Sequence, residues 1–127
     1  MSIKKIKAQE ICSYDTAIKK GKIGYLVSSI FDMQDTYSII RIMWKGRLEG
    51  NTFVGFQLAG SSSASGPWIY IGPDGPNSYY TPSPGEFLNI STPSLSNIRY
   101  FRYKVFLGSC DYISIPEVNS IYIYYSK

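Results

Sequence analysis

Asp32 and Asp35, Cys12 and Cys110, and the ring-rich stretch around Trp68 are the residues of this chain whose type and spacing admit chemistry. Histidine is absent. That removes the commonest general base at neutral pH, together with every catalytic triad or metal site built on imidazole. A cysteine nucleophile would lack its usual base, and Cys12 and Cys110 are better explained as partners of each other. Paired carboxylates are the remaining catalytic option, because glycoside hydrolysis uses two Asp or Glu flanking a sugar bond. Asp32 and Asp35 are close in sequence, but they bracket the turn expected after a strand, where Asp is favoured for its backbone-mimicking hydrogen bonds. Asp74, within Gly72-Pro73-Asp74-Gly75-Pro76, is a turn residue first, and a calcium ligand only if Asp32, Glu86 or carbonyls converge on it. The sequence therefore predicts no enzyme, no metal site and no cofactor, with a glycoside hydrolase as the least favoured function.

Binding is the better use of these side chains. Trp68, Tyr70, Tyr79 and Tyr80, with Asp74, Asn77 and Gln57 nearby, have the makings of a carbohydrate platform: rings stack on sugar faces while amides and carboxylates read hydroxyls. The same rings equally serve as caps over the core beneath a loop. Arg99, Arg102 and Lys104 alternate with Tyr100 and Tyr103, a pattern that suits either a cation-π ladder for an anionic polymer or a cross-strand structural ladder.

These residues need a scaffold, and composition says which. The chain has 127 residues, 44% of them hydrophobic, enough for one domain with a continuous core. Twelve Tyr against 2 Trp and 6 Phe suit half-buried strand positions where a ring packs and a hydroxyl meets water. Period-two patterning marks strands over 24–32, 37–44, 52–59, 98–107 and 120–125. Within them Ile40, Ile42 and Trp44 share one face with Arg41 opposite, and Thr52, Val54, Phe56 and Leu58 share another with Gly55 and Gln57 opposite. Tyr122 and Tyr124 form an aromatic outer face against Ile121 and Ile123. Between Gly60 and Pro93 the chain is dense in Gly, Pro and Ser, so the pieces 68–71, 79–80 and 86–90 are edge strands, irregular hairpins or binding loops. Seven or eight strands separated by turn signals predict an all-β fold, a two-sheet antiparallel β-sandwich of jelly-roll kind. Ile3, Ile6 and Ile11 sit at roughly helical spacing, so residues 1–22 read as a basic N-terminal segment, helical or extended, ahead of a 23–127 sandwich domain.

The net charge of +4 is confined to that segment: six lysines (Lys4, Lys5, Lys7, Lys19, Lys20 and Lys22) stand there against Glu10 and Asp15, while the remaining basic and acidic residues cancel. A basic tail on a neutral body points to a solvated terminus or a segment near anionic lipid, not to a nucleic-acid groove. Cys12 and Cys110 lie toward opposite ends of the chain and can bridge where the termini of a compact sandwich approach, which implies an oxidising compartment. The start, MSIKKIKAQE, lacks the apolar core of a signal peptide, so export requires a leader that has been removed.

Taken together, 24–32 (GYLVSSIFD), Trp44-Lys45-Gly46, 52–58, Gly66-Pro67-Trp68, Gly72-Pro73-Asp74-Gly75, 99–104, Ile115-Pro116-Glu117-Val118 and 121–125 form an ordered ensemble covering about residues 24–125. This ensemble resembles a β-sandwich module of bacterial surface proteins, including pilin-like (prepilin-type) proteins in which a hydrophobic helix precedes the module. The resemblance implies an extracellular or cell-surface domain for display, assembly or adhesion, with other surface or filament subunits, or a glycan, as partners. It transfers no catalytic residue. The chain departs by lacking that helix, so residues 1–12 are read as its trimmed end and membrane attachment runs only through the missing part.

Overall fold

The computed structural model describes residues 12–14, 17, 23–111 and 113–127. Among these the chain is antiparallel β-structure with almost no helix: β1 (Ile23–Val27), β2 (Phe31–Arg47), β3 (Thr52–Ser61), β4 (Leu88–Asn89), a 3₁₀ turn at Pro93–Leu95, β5 (Ile98–Ser109) and β6 (Glu117–Ser126). The all-β class expected from the sequence is what is found. Ile3, Ile6 and Ile11, and the boundary at residues 19–22, lie outside the described residues.

β2 organises the molecule. Its 17 residues serve two ladders: the first part pairs with β5 (Phe31↔Phe101, Asp32↔Tyr100), and the rest pairs with β6 (Ser38↔Ser126 through Arg47↔Glu117) and β4 (Arg41↔Asn89). β5 carries β3 along one edge from Thr52↔Ser109 to Ser61↔Tyr100, and β1 along the other from Ile23↔Gly108 to Val27↔Lys104. Among the described residues the result is a connected six-stranded sheet that does not close, since there β1 pairs only with β5 and β6 only with β2.

Three sequence expectations are corrected here. The segment 24–32 is two elements: β1 ends at Val27, and Phe31 already belongs to β2. Asp32 and Asp35 lie inside β2 and do not bracket a turn after a strand; the ladder shifts between Asp32 and Tyr37, where Gln34 adopts φ 66°. Their side chains still make the backbone-mimicking bonds, Asp32 Oδ1 accepting the Gln34 N–H at 2.7 Å and Asp35 Oδ1 the Thr36 N–H at 2.7 Å, but these stabilise a bulge. Finally, Ile40 does not share a face with Ile42 and Trp44. The register slips between Ile39 and Arg41, which turns Ile39 into the core and Ile40 outward.

Both faces of β3 are covered, so its alternation in sequence separates two cores and not core from solvent. Val54, Phe56 and Leu58 join Trp44, Ile42, Leu95, Val105 and Tyr80 in the main core. Phe53, on the other side, packs with Cys12, Ala17, Phe106 and Cys110, with Tyr14 and Tyr79 against them. Each large apolar side chain buried in this way contributes about 1.5–3 kcal/mol. Gly46 permits the closest approach between β2 and β6, because a Cβ there would overlap the Glu117 carbonyl.

The two flanks of the sheet differ. Along β3, residues 71–80 zip onto the free edge through paired bonds between Phe56 and Tyr80 (2.9 and 2.8 Å) and between Leu58 and Ile71 (2.9 Å each way). Of the edge strands, irregular hairpins or loops expected here, 68–71 and 79–80 contribute isolated bridges at Ile71 and Tyr80, and of 86–90 only Leu88–Asn89 is a strand, because Pro and Gly limit the available ladder donors. On the opposite flank β1 and β6 face each other across a cleft of about 490 Å³ lined by Leu26, Tyr103, Val105, Leu107, Val118 and Ile121.

Candidate functional site

The residues expected to form a carbohydrate platform all lie on the excursion from β3 to β5, and it distributes them to different environments. Gln57 is buried, and its Nε2 donates to the carbonyls of Pro76 (2.8 Å) and Ser78 (3.0 Å). It holds the loop down and is not presented to a ligand. Tyr80 belongs to the main core; its hydroxyl shares a 2.7 Å hydrogen bond with Thr92, and burial pushes its phenol pKa up. Tyr79 turns the other way, stacked on Tyr14 at 4.6 Å between ring centroids and edge-on to Phe106 at 5.0 Å. Asp74 and Asn77 are exposed at the tip, where Ser78 Oγ accepts the Asp74 N–H at 2.8 Å and donates to the Gly75 carbonyl. A side chain at Gly72 would overlap the Ser78 backbone, so this tip needs glycine for close approach.

Trp68 and Tyr70 remain half-buried over the outward side of β5. The Arg102 guanidinium lies 5.7 Å from the Trp68 ring, with its Nε donating to the Ser28 carbonyl at 3.1 Å. Lys104 sits between Tyr70 (4.3 Å) and Tyr25 (5.3 Å). Of the six expected platform residues the structure therefore brings Trp68 and Tyr70 to one surface, and the other four sit in the loop tip or in the two cores.

The carboxylates are engaged in holding the chain. Asp32 receives Arg99 through both oxygens, at 2.9 and 3.1 Å, and this hydrogen bonding lowers its pKa and raises that of Arg99. Asp35 pairs with Lys127, which likewise lowers its carboxyl. Asp111, immediately after the disulfide cysteine, accepts the N–H groups of Ser114 (2.8 Å) and Ile113 (2.9 Å) on Oδ1 and the Ser114 hydroxyl on Oδ2 (2.9 Å). These backbone bonds hold its carboxyl far below the ordinary carboxylate range. Sequence reasoning did not single out Asp111, although Asp three positions ahead of Ser is a recognisable turn signal. Cys12 and Cys110 form the expected disulfide, with Cα atoms 5.8 Å apart.

A second surface was only half visible in the sequence. Arg41, on β2, stands directly opposite Tyr124 on β6 and Asn89 on β4, with Met43↔Tyr122 and Lys45↔Ser120 continuing the row. Phe87 and Tyr124 pack edge-on at 5.6 Å, and the Arg41 guanidinium lies 5.3 and 5.9 Å from their centroids. Lys45 lies 5.7 Å from the Tyr122 ring. Among the described residues Arg41 has no ion pair, and its buried Nε has no hydrogen-bond partner. The outward placing of Arg41, Tyr122 and Tyr124 was readable from period two; their meeting was not, because strand order is not written in the alternation.

No protein-family model matches the chain, and neither a curated protein nor a solved structure matches it significantly.

Proposed function

We propose that the chain is a non-enzymatic, extracellular head domain of a bacterial anchored or pilin-like surface protein, in which the two ladders joined by β2 pack as a jelly-roll-like sandwich. Its work is display and assembly, and its partner is a neighbouring copy. The carrying observation is the uncovered cleft between β1 and β6. Leu26 is 67% exposed there. Two strand edges with no second partner among the described residues flank it, and such edges recruit another chain unless they are blunted by charge or covered. The lining of the cleft carries no charged side chain, which suits an apolar partner surface. The Cys12–Cys110 bridge supports an oxidising compartment, and the absence of histidine together with the ion-paired Asp32 and Asp35 supports a non-catalytic reading.

Sedimentation velocity from low to high micromolar concentration tests this. Self-association that Leu26→Lys abolishes is the expected result; a wild-type protein that stays monomeric throughout removes the assembly reading. A carbohydrate-binding module is the second reading, favoured by the partly open rings of Trp68 and Tyr70 above Arg102 and Lys104. Glycan-array signals that survive a Trp68→Ala, Tyr70→Ala double substitution exclude that platform.

A further inference from the structure

We propose that the outward face of β2 and β6 binds an acidic glycan: Arg41 and Lys45 take the anionic groups, and Phe87, Tyr122 and Tyr124 offer ring faces to the sugars. This goes beyond the assembly reading and does not depend on it, since Arg41, Lys45, Phe87, Tyr122 and Tyr124 are not among the residues that line the cleft.

Arg41 stands apart from the ion-paired cations of the described residues. A guanidinium carries five N–H donors in a planar fork suited to carboxylate or sulfate. Other cations of the molecule have their carboxylates: Arg99 with Asp32, Lys127 with Asp35, Arg47 with Glu49 and Glu117. Among the described residues no carboxylate pairs with Arg41; its Nε lacks an acceptor but is shut off from solvent, so a ligand would meet the outer nitrogens of the guanidinium. Its position is nevertheless fixed. The T-shaped pair of Phe87 and Tyr124 forms a nearly equilateral triangle with it, with sides of 5.3, 5.9 and 5.6 Å. Cation-π contact holds the group in one orientation without consuming its hydrogen-bonding capacity. That is a preorganised anion site, since the ordering is complete before a ligand arrives.

Lys45 repeats the arrangement on the same strand, beside Tyr122. At about 3.3 Å per residue the two cations lie roughly 13 Å apart along β2, which spans more than one sugar unit and favours a polymer over a single acidic sugar. Between them Met43 is almost fully buried under the row, while Phe87 is 54% exposed and Tyr122 39%. A ring that open presents an apolar face that a sugar's C–H surface can cover. On the outward side of β5, Arg102 already donates to the Ser28 carbonyl, and Lys104 lies between Tyr25 and Tyr70.

Affinity electrophoresis of the full chain through gels containing polygalacturonate, dextran sulfate or neutral dextran tests the proposal, with single-stranded DNA as a competing polyanion. Retardation by polygalacturonate, by dextran sulfate or by both, and none by dextran, is expected; the first two gels distinguish carboxylate from sulfate as the group read. Arg41→Gln with Lys45→Gln should weaken binding at least about tenfold, as loss of charge-assisted bonds does. Phe87→Ser, at an exposed position that tolerates substitution, should also weaken it measurably. Three results overturn the proposal: no retardation by either acidic polymer; retardation that both sets of variants leave unchanged, which assigns it to the basic segment 1–22; or displacement by DNA as efficient as by the glycan.

Discussion

Ile39 and Ile42 lie on the same side of β2, both buried, although an even-odd reading of the strand sends them to opposite faces. The slip in the β6 ladder at Ile40 produces this. Ile39→Ala should therefore cost about 2–5 kcal/mol and Ile40→Ala less than about 1 kcal/mol, measured as shifts in the urea midpoint. Equal costs, or the reverse order, would refute the bulge.

The disulfide closes a loop spanning 98 residues in sequence. In the chain-entropy account a bridge of that length contributes at most about 4–5 kcal/mol. Cys12→Ser with Cys110→Ser should lower the thermal midpoint by a corresponding amount while leaving the β-sheet circular dichroism unchanged. Mass analysis of the protein purified without reductant should find no free thiol.

Asp111 gives the fold an acid limit. Its folded carboxyl titrates below the ordinary value because Ser114 and Ile113 donate to it. The stability it supplies is therefore fully present above the unfolded pKa of about 3.9 and is lost as pH falls from there toward the folded value. Acid unfolding should begin below about pH 4, and Asp111→Asn should flatten the pH dependence of stability in that window. A variant with the wild-type acid profile would show that other carboxylates set it.

Gln57 ties the 72–80 loop to β3, which predicts a local effect from its loss. Gln57→Leu leaves the Pro76 and Ser78 carbonyls without their donor, at a cost of about 1–3 kcal/mol. Limited proteolysis should then cut within 72–78 faster than in the wild type. Unchanged cleavage would mean that the Phe56–Tyr80 and Leu58–Ile71 bridges hold the loop by themselves.

What could be read in the sequence depended on how regular each strand's surroundings are. β6 has one face on the core, so Ile121 and Ile123 fall where alternation puts them, and on β5 alternation likewise sends Phe101 and Val105 to the main core and Phe106 to the second. β2 defeated that reading at Ile40 because a bulge changes parity without a mark in composition. The candidate site fared worse. Tyr79 and Tyr80 are adjacent aromatic residues, and only the presence of Tyr14 and Phe53 on one side and Thr92 on the other decides that they serve two separate cores. Arg41 meets Tyr124 only because β6 pairs with β2, a long-range choice that no local pattern encodes.

The Cys12–Cys110 bridge also decides how the domain would carry mechanical load. Tension between the segment ahead of Cys12 and Lys127 crosses the bridge directly to the start of 111–127, so β1 to β5 are bypassed and left slack. β6 is the one strand in the load path, and being extended already it has little length to yield. Single-molecule stretching should release only the slack of 111–127 until a reductant is added, and the length of the whole sheet afterwards. A domain bridged in this way would keep β1 to β5 folded under a pull that unravels an unbridged one.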